Sequence, residues 1–186
     1  MNSIFFWNKE WVPINKSTFP FFKSSRICFF NFVSVLPVKS FILILGDNLF
    51  LKGDISNLIK KSLTKNNGAT IFAYSVADPS RYGVVNFDSS GNVLGIEEKP
   101  EHPKSNWAVT GLYIYNNHAV EEVRNLKPSD RGELEITDLN NVFLNKYSID
   151  VVCLPKTSYW LDAGTIDSLL EAGNLVKSLK DQGNIL

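Results

Sequence analysis

The run at residues 41–50, FILILGDNLF, constrains this chain more than any other stretch. Five apolar residues end abruptly at Gly46-Asp47-Asn48. A short unbroken apolar run, rich in Ile and bounded by Gly, reads as a strand covered on both faces inside an α/β sheet. In such sheets ligands bind beyond the carboxyl ends of the strands. This strand delivers an acid and an amide to that position, so Asp47 and Asn48 are candidates to hold a cation or a phosphate. The alternative is that either residue caps the turn or helix that follows.

From residue 41 onward strand-like and helical patterns alternate. Asp54 is placed to cap a helix whose apolar face is Ile55, Leu58, Ile59 and Leu63, ended by Asn66-Asn67-Gly68. Residues 69–76 (ATIFAYSV) form a second apolar strand, and strand, helix, strand at this spacing reads as a parallel right-handed crossover. Residues 84–87 and 93–98 read as two short strands joined through Asp88-Ser89-Ser90-Gly91. Residues 107–115 return as a strand, and 118–126 and 133–145 read as helices, the second preceded by Ser129, Asp130 and Gly132. Residues 149–154 form another strand, and 165–179 a last helix carrying Ile166, Leu169, Leu170, Leu175, Val176 and Leu179. The architecture this predicts is α/β, a mostly parallel sheet with an inserted antiparallel section.

Composition narrows the class. An apolar fraction of 44% and a charged fraction of 20% over 186 residues suit a globular protein with a substantial core. Formal net charge is zero, so no global field recruits nucleic acid or an anionic membrane. The two cysteines, Cys28 and Cys153, have no disulfide-scaffold or zinc spacing, and a reducing, cytoplasmic setting is expected. Residues 1–40 stand apart: eight Phe, two Trp, five basic residues, one acid and no glycine. Their longest apolar stretch, 27–38, is broken by Asn31 and Ser34 and is shorter than the ~20 residues a bilayer span requires. This segment reads as a foreign or truncated start, with a boundary near residue 40.

Four clusters carry possible chemistry, each with a structural alternative. Asp47-Asn48 is the first. Arg81-Tyr82-Gly83 is a loop in which Gly83 can serve a turn and Tyr82 can pack. Glu97-Glu98-Lys99-Pro100 ends a strand; adjacent strand residues point to opposite faces, so one glutamate at most faces a cleft, and the run can equally be solvated surface charge. Trp160-Leu161-Asp162-Ala163-Gly164-Thr165 sets an acid before a helix, where N-capping is the alternative. Taken together, Asp47 and Asp162 can share one hard divalent cation, since Mg²⁺ is held by one or two carboxylates plus substrate phosphates. Lys99 offers a compact charge for a phosphate, while Tyr82, Gly83 and Glu98 offer the donors and acceptors that sugar hydroxyls need.

The segments LGDN, DPSRYGVV, EEKP, SNWAVTGLYIYNN, LKPSDRGELEITDLN and WLDAGT occur in this order. From residue 41 to about 183 the chain resembles the second half of bacterial glucose-1-phosphate thymidylyltransferases, sugar nucleotidyltransferases of the dTDP-rhamnose pathway to polysaccharide. The resemblance implies a Rossmann-like nucleotidyltransferase fold with a mixed sheet. It also implies that Asp47 and Asp162 hold a catalytic Mg²⁺ and that Lys99 binds the phosphate of glucose 1-phosphate. Tyr82, Gly83, Glu98 and Val109 would contact the sugar, with Asn48 beside them as a substrate-binding residue. The reaction implied is attack by a glucose 1-phosphate oxygen on the α-phosphate of dTTP, releasing pyrophosphate, with catalysis by positioning and by cations. Intact relatives are expected to form tetramers, and the last helix is a plausible assembly surface.

Two departures qualify the resemblance. Ala163 stands where the family usually has Thr. The family also opens with a Gly-rich loop that cradles the triphosphate, and residues 1–45 hold no glycine. The nucleotide-binding half is therefore expected to be missing, and the chain on its own to be weakly active or inactive. Use of another nucleoside triphosphate, or a non-catalytic role as a sugar-nucleotide-binding or oligomer partner, are the competing readings.

Overall fold

The computed structural model describes residues 40–65, 67–129 and 132–183. The aromatic segment, apart from Ser40, lies outside the described residues, as do Asn66 in the expected helix stop and Asp130 ahead of the third helix.

The sheet is organised around one strand. Trp107–Asn116 (β6, after β1 Ser40–Ile44, β2 Asn48–Leu51, β3 Ala69–Ser75, β4 Gly83–Phe87 and β5 Val93–Glu98) is buried on both faces along nearly all its length. β3 lines one edge of β6. β1 and β4 pair with it as well, β1 against 112–116 and β4 at Ala108. β5 extends the sheet beyond β4, and β7 (Ile149–Cys153) beyond β3.

Alternation along these strands divides the core into two layers. Tyr113 and Tyr115 of β6, with Ile71 and Ala73 of β3, pack with Ile136, Leu139 and Phe143 of α3 (Ile136–Lys146) and Ala119 of α2 (His118–Asn125). Leu112, Ile114 and Phe72 face the other way, under Ile55, Leu58 and Ile59 of α1 (Ile55–Lys65). Helices thus cover both sides of a mixed sheet, as the α/β expectation required. Leu63, assigned to the buried face of α1, is instead partly exposed.

The expectation of a mostly parallel sheet is corrected. Among the described residues only β3 and β7 pair in parallel; β1–β6, β3–β6, β4–β5 and β4–β6 are all antiparallel. β1 and β3 do run in the same direction, as a crossover through α1 demands, but β6 lies between them. Periodicity identifies a strand without identifying its neighbours, so the interposed strand was invisible to it.

A second, two-stranded sheet was not anticipated. β2 pairs antiparallel with β8 (Tyr159–Asp162), with Asn48 opposite Asp162 and Phe50 opposite Trp160. Two four-residue strands give too few alternations to stand out, and turn-forming residues flank both. This ribbon decides two of the capping alternatives. Asn48 opens a strand, so neither it nor Asp47 caps a helix. Asp162 ends a strand, and α4 (Ile166–Asp181) is capped by Thr165, whose hydroxyl accepts from Ser168 N–H at 3.1 Å within a capping box. The expected cap of α1 has a different form: Asp54 lies in a left-handed turn with Lys52 and Gly53, and its carboxylate accepts from the Asn57 side-chain amide at 2.8 Å.

Candidate active site

A bulge in β6 sets the floor of the site. Ile71 pairs with Tyr113 and Ala73 with Val109, so residues 110–112 oppose Phe72 alone. The extra residues take the Gly111 peptide out of register with β3, as bulges do beside functional sites. Its carbonyl accepts from Leu45 N–H at 2.9 Å, and its N–H donates to Asn48 Oδ1 at 3.0 Å. The same Asn48 oxygen accepts from the Trp160 indole N–H at 2.6 Å, and Asn48 Nδ2 donates to Asp47 Oδ1 at 2.9 Å. Across the ribbon, Asp162 Oδ1 accepts from Gly164 N–H at 3.0 Å, and the Asp47 carbonyl accepts from Ala163 N–H at 2.7 Å.

The second wall comes from β4, β5 and α3. Glu98 faces inward and accepts from the Thr137 hydroxyl at 2.6 Å, whereas Glu97 faces away and accepts from Asn86 Nδ2 at 2.8 Å and from Lys104 Nζ at 3.0 Å. The expected divergence of the two glutamates is what a strand enforces. Gly83 leaves room for this pair: a Cβ there would lie 3.1 Å from Thr137 Oγ1 and 3.5 Å from Glu98 Oε2. The Tyr82 ring meets Trp160 edge-on at 5.0 Å. Burial raises the Tyr82 phenol above its ordinary value. It raises Tyr113 further, with the charges of Glu98 and Asp47 adding to the effect. Both remain protonated at neutral pH, suited to hydrogen bonding and not to accepting a proton.

These walls enclose a cavity of about 410 Å³. Asp47, Asn48, Tyr82, Gly83, Glu98, Lys99, Val109 and Asp162 all line it, so residues up to 115 positions apart meet at one place. Arg81, Gly111, Tyr113, Thr137 and Trp160 line it as well, with Glu133 and Glu135 ahead of α3. Of these, Arg81, Glu133, Glu135 and Trp160 sit inside segments the sequence marks but were given no role. Thr137 and Gly111 also lie inside marked segments and were given no role, because their importance lies in what they touch across the fold.

The charge of the lining has a chemical consequence. Its described residues include five carboxylates (Asp47, Glu98, Glu133, Glu135, Asp162) against two cations, Arg81 and Lys99. A phosphate entering this cavity needs a further positive charge. Among the described residues no group of three or more His, Cys, Asp or Glu forms a metal cluster. Asp47 and Asp162 nevertheless flank the end of the ribbon, each with one oxygen engaged in the bonds above and a second to offer. Two hard oxygen donors and no sulfur or imidazole fit Mg²⁺ completed by substrate phosphates and water. Lys99, half-exposed on the same cavity lining, holds a left-handed φ of 44° that is uncommon for a residue other than glycine.

Comparison with known proteins bears directly on this site. Residues 26–178 match the model of the nucleotidyl transferase family. The chain belongs to that family. The match opens at residue 26, inside the first forty residues. The nucleotidyl transferase chain is 50% identical over 143 residues to a glucose-1-phosphate thymidylyltransferase of Neisseria gonorrhoeae, covering 77% of this chain and 50% of that protein. It is 49% identical over 145 residues to the one from Mycobacterium tuberculosis, covering 78% and 50%. The chain thus spans about half the length of the curated relatives it matches. A Bacillus anthracis protein described as a glucose-1-phosphate thymidylyltransferase and crystallised with sucrose superposes with a TM-score of 0.65 at 41% identity, over 74% of this chain and 54% of that one. A UDP-glucose pyrophosphorylase complexed with UDP-glucose shares the fold at 24% identity and a TM-score of 0.63, over 75% and 57%. Members of this family act on a sugar phosphate and a nucleoside triphosphate and generally use a divalent metal. No helix among the described residues is long and apolar enough to cross a membrane.

Proposed function

We propose that this chain forms the sugar-phosphate and metal side of a glucose-1-phosphate thymidylyltransferase, joining glucose 1-phosphate to dTTP with release of pyrophosphate. The observation that carries the reading is the convergence of all eight expected site residues on one cavity. Glu98, its Oε2 held by Thr137, and Gly83 offer an acceptor and an open backbone to sugar hydroxyls. Lys99 Nζ lies 3.9 Å from Glu98 Oε1, at the boundary between sugar and phosphate recognition, and supplies positive charge to the 1-phosphate. Asp47 and Asp162 would hold Mg²⁺, whose chemistry is to neutralise phosphate oxygens as charge redistributes. The protein contributes alignment and fixed charge; no nucleophilic side chain is required. Naming dTTP rests on the curated relatives at 49–50% identity. The fold shared with UDP-glucose pyrophosphorylases keeps UTP as the second reading.

Pyrophosphate release from glucose 1-phosphate with each of dTTP, UTP, CTP and ATP tests both readings, alongside calorimetry of glucose 1-phosphate with Mg²⁺. We expect sugar-phosphate binding that requires Mg²⁺ and Lys99, and turnover far below the roughly 1–1000 s⁻¹ typical of enzymes. Turnover within that range would overturn the expectation of a weakly active chain; binding indifferent to Asp47→Asn would overturn the assignment of the site. Assembly with further copies is proposed for α4, where Ile166, Leu169 and Leu170 form an exposed apolar stripe at 87%, 57% and 65% exposure. Sedimentation analysis reads this directly.

A further inference from the structure

We propose that Asn48 and Trp160 are positioning residues for Asp47, together fixing the direction in which its carboxylate meets a divalent cation. The inference deepens the metal reading above and rests on it. Its basis is the continuous chain of hydrogen bonds from the Trp160 indole through the Asn48 carboxamide to Asp47 Oδ1.

The chemistry of the carboxamide gives this chain its direction. Trp160 Nε1–H and Gly111 N–H are donors only, and both converge on one Asn48 atom, at 2.6 and 3.0 Å. That atom must be the oxygen, so the amino group is obliged to face Asp47 and donate. A flipped amide would set two donors against a third and leave Asp47 without its bond. Sterics close the remaining freedom: a Cβ at Gly111 would lie 2.5, 2.6 and 2.8 Å from Nδ2, Cγ and Oδ1 of Asn48, so the amide lies flat against the bare glycine. Trp160 is itself buried and held edge-on by Tyr82 at 5.0 Å and Tyr74 at 6.1 Å, and the Tyr74 hydroxyl is tied to the Ser158 carbonyl at 3.0 Å.

One short strand therefore does two things. β8 supplies Asp162 directly and, two residues earlier on the same face, supplies the indole that orients the amide holding Asp47. With its oxygen doubly occupied and its nitrogen donating to Asp47, Asn48 acts on the cation through another residue, and we assign it that role in place of substrate contact. Residues that orient metal ligands in this way typically change metal affinity by roughly 10–100-fold when altered.

Binding of Mn²⁺ alone, followed by the electron paramagnetic resonance of the free ion, tests this without turnover. Wild-type protein is expected to bind Mn²⁺ in a manner abolished by Asp47→Asn. Trp160→Phe keeps the packed ring and removes only the N–H; Gly111→Ala leaves every polar group but displaces the amide. Each is expected to weaken Mn²⁺ binding roughly 10–100-fold. Trp160→Phe should have no further effect in an Asn48→Ala background, which a merely structural role would not produce. In a nitrogen–proton correlation spectrum, the indole resonance lost in Trp160→Phe should also shift in Asn48→Ala, whatever the metal. Unchanged Mn²⁺ affinity in both Trp160→Phe and Gly111→Ala overturns the inference, as does an equal loss from Trp160→Phe with and without Asn48. Wild-type protein with no Asp47-dependent Mn²⁺ binding overturns the metal reading and this inference with it.

Discussion

At Gly83, the smallest side chain in the protein makes room for the hydrogen bond between Thr137 and Glu98. A methyl group there would sit 3.1 Å from Thr137 Oγ1, tight enough to force that hydroxyl or Glu98 to give way. Alanine is otherwise the better strand residue by about 0.5–1 kcal/mol. Gly83→Ala is therefore expected to melt no lower than wild type while weakening glucose 1-phosphate binding on the order of tenfold, the scale of a lost charged hydrogen bond; calorimetry and a thermal melt separate the two effects. Lys99 presents the converse case. Its left-handed backbone costs about 1–2 kcal/mol that glycine would not incur. Lys99→Ala and Lys99→Gly should both lose phosphate-dependent binding, with the glycine variant the more stable of the two by about 1 kcal/mol in denaturant titration. Much of the site is legible in sequence at this scale, because an acid at a strand exit or a lysine after a glutamate pair has a chemical meaning of its own. Gly111 and Thr137 have none until the fold presses them against Asn48 and Glu98.

Between elements, legibility depends on whether contacts are local. The strands and helices follow from periodicity with shifts of up to three residues, as where α3 starts at Ile136 and not at Glu133. The antiparallel insertion of β6 and the β2–β8 ribbon escape it, since both are pairings between distant segments. The clamp between α2 and the end of α3 escaped it too. Glu122 accepts from the Tyr147 hydroxyl at 2.8 Å and from Lys146 Nζ at 3.1 and 3.2 Å, and the His118 ring stacks on Tyr147 at 4.5 Å. The Tyr147 hydrogen bond, with Lys146 adding to it, lowers the Glu122 carboxyl below its ordinary value of 4.5. A carboxylate with a lowered native pKa contributes stability above its unfolded value and loses that contribution as pH falls through the native one. The melting temperature of wild type should thus exceed that of Glu122→Gln at neutral pH, and the gap should close as pH drops below about 4.5. At α4, Thr165→Ala removes the cap and is expected to cost about 1 kcal/mol in chemical denaturation.

For the molecule as a whole, the order of segments was informative and their closure was not. LGDN and WLDAGT lie near opposite ends of the recognisable sequence, and nothing in their spacing says that they pair. The structure joins them through four residues on each side, and the Trp160–Asn48 bond spans 112 positions. Most of the described chain is therefore a loop closed at the ribbon, with Asn48 held in addition by Gly111 and Ser158 by Tyr74. Two-stranded ribbons have little stability of their own, and this one is separate from the six-stranded sheet that carries the core. Under mild heat or denaturant the fastening can fray while β3, β6 and their helices stay packed, as local opening precedes global unfolding elsewhere. A cation bridging Asp47 and Asp162 would then work as a reversible latch on a loop of about a hundred residues, and this protein would lose its grip on ligand well before it lost its shape.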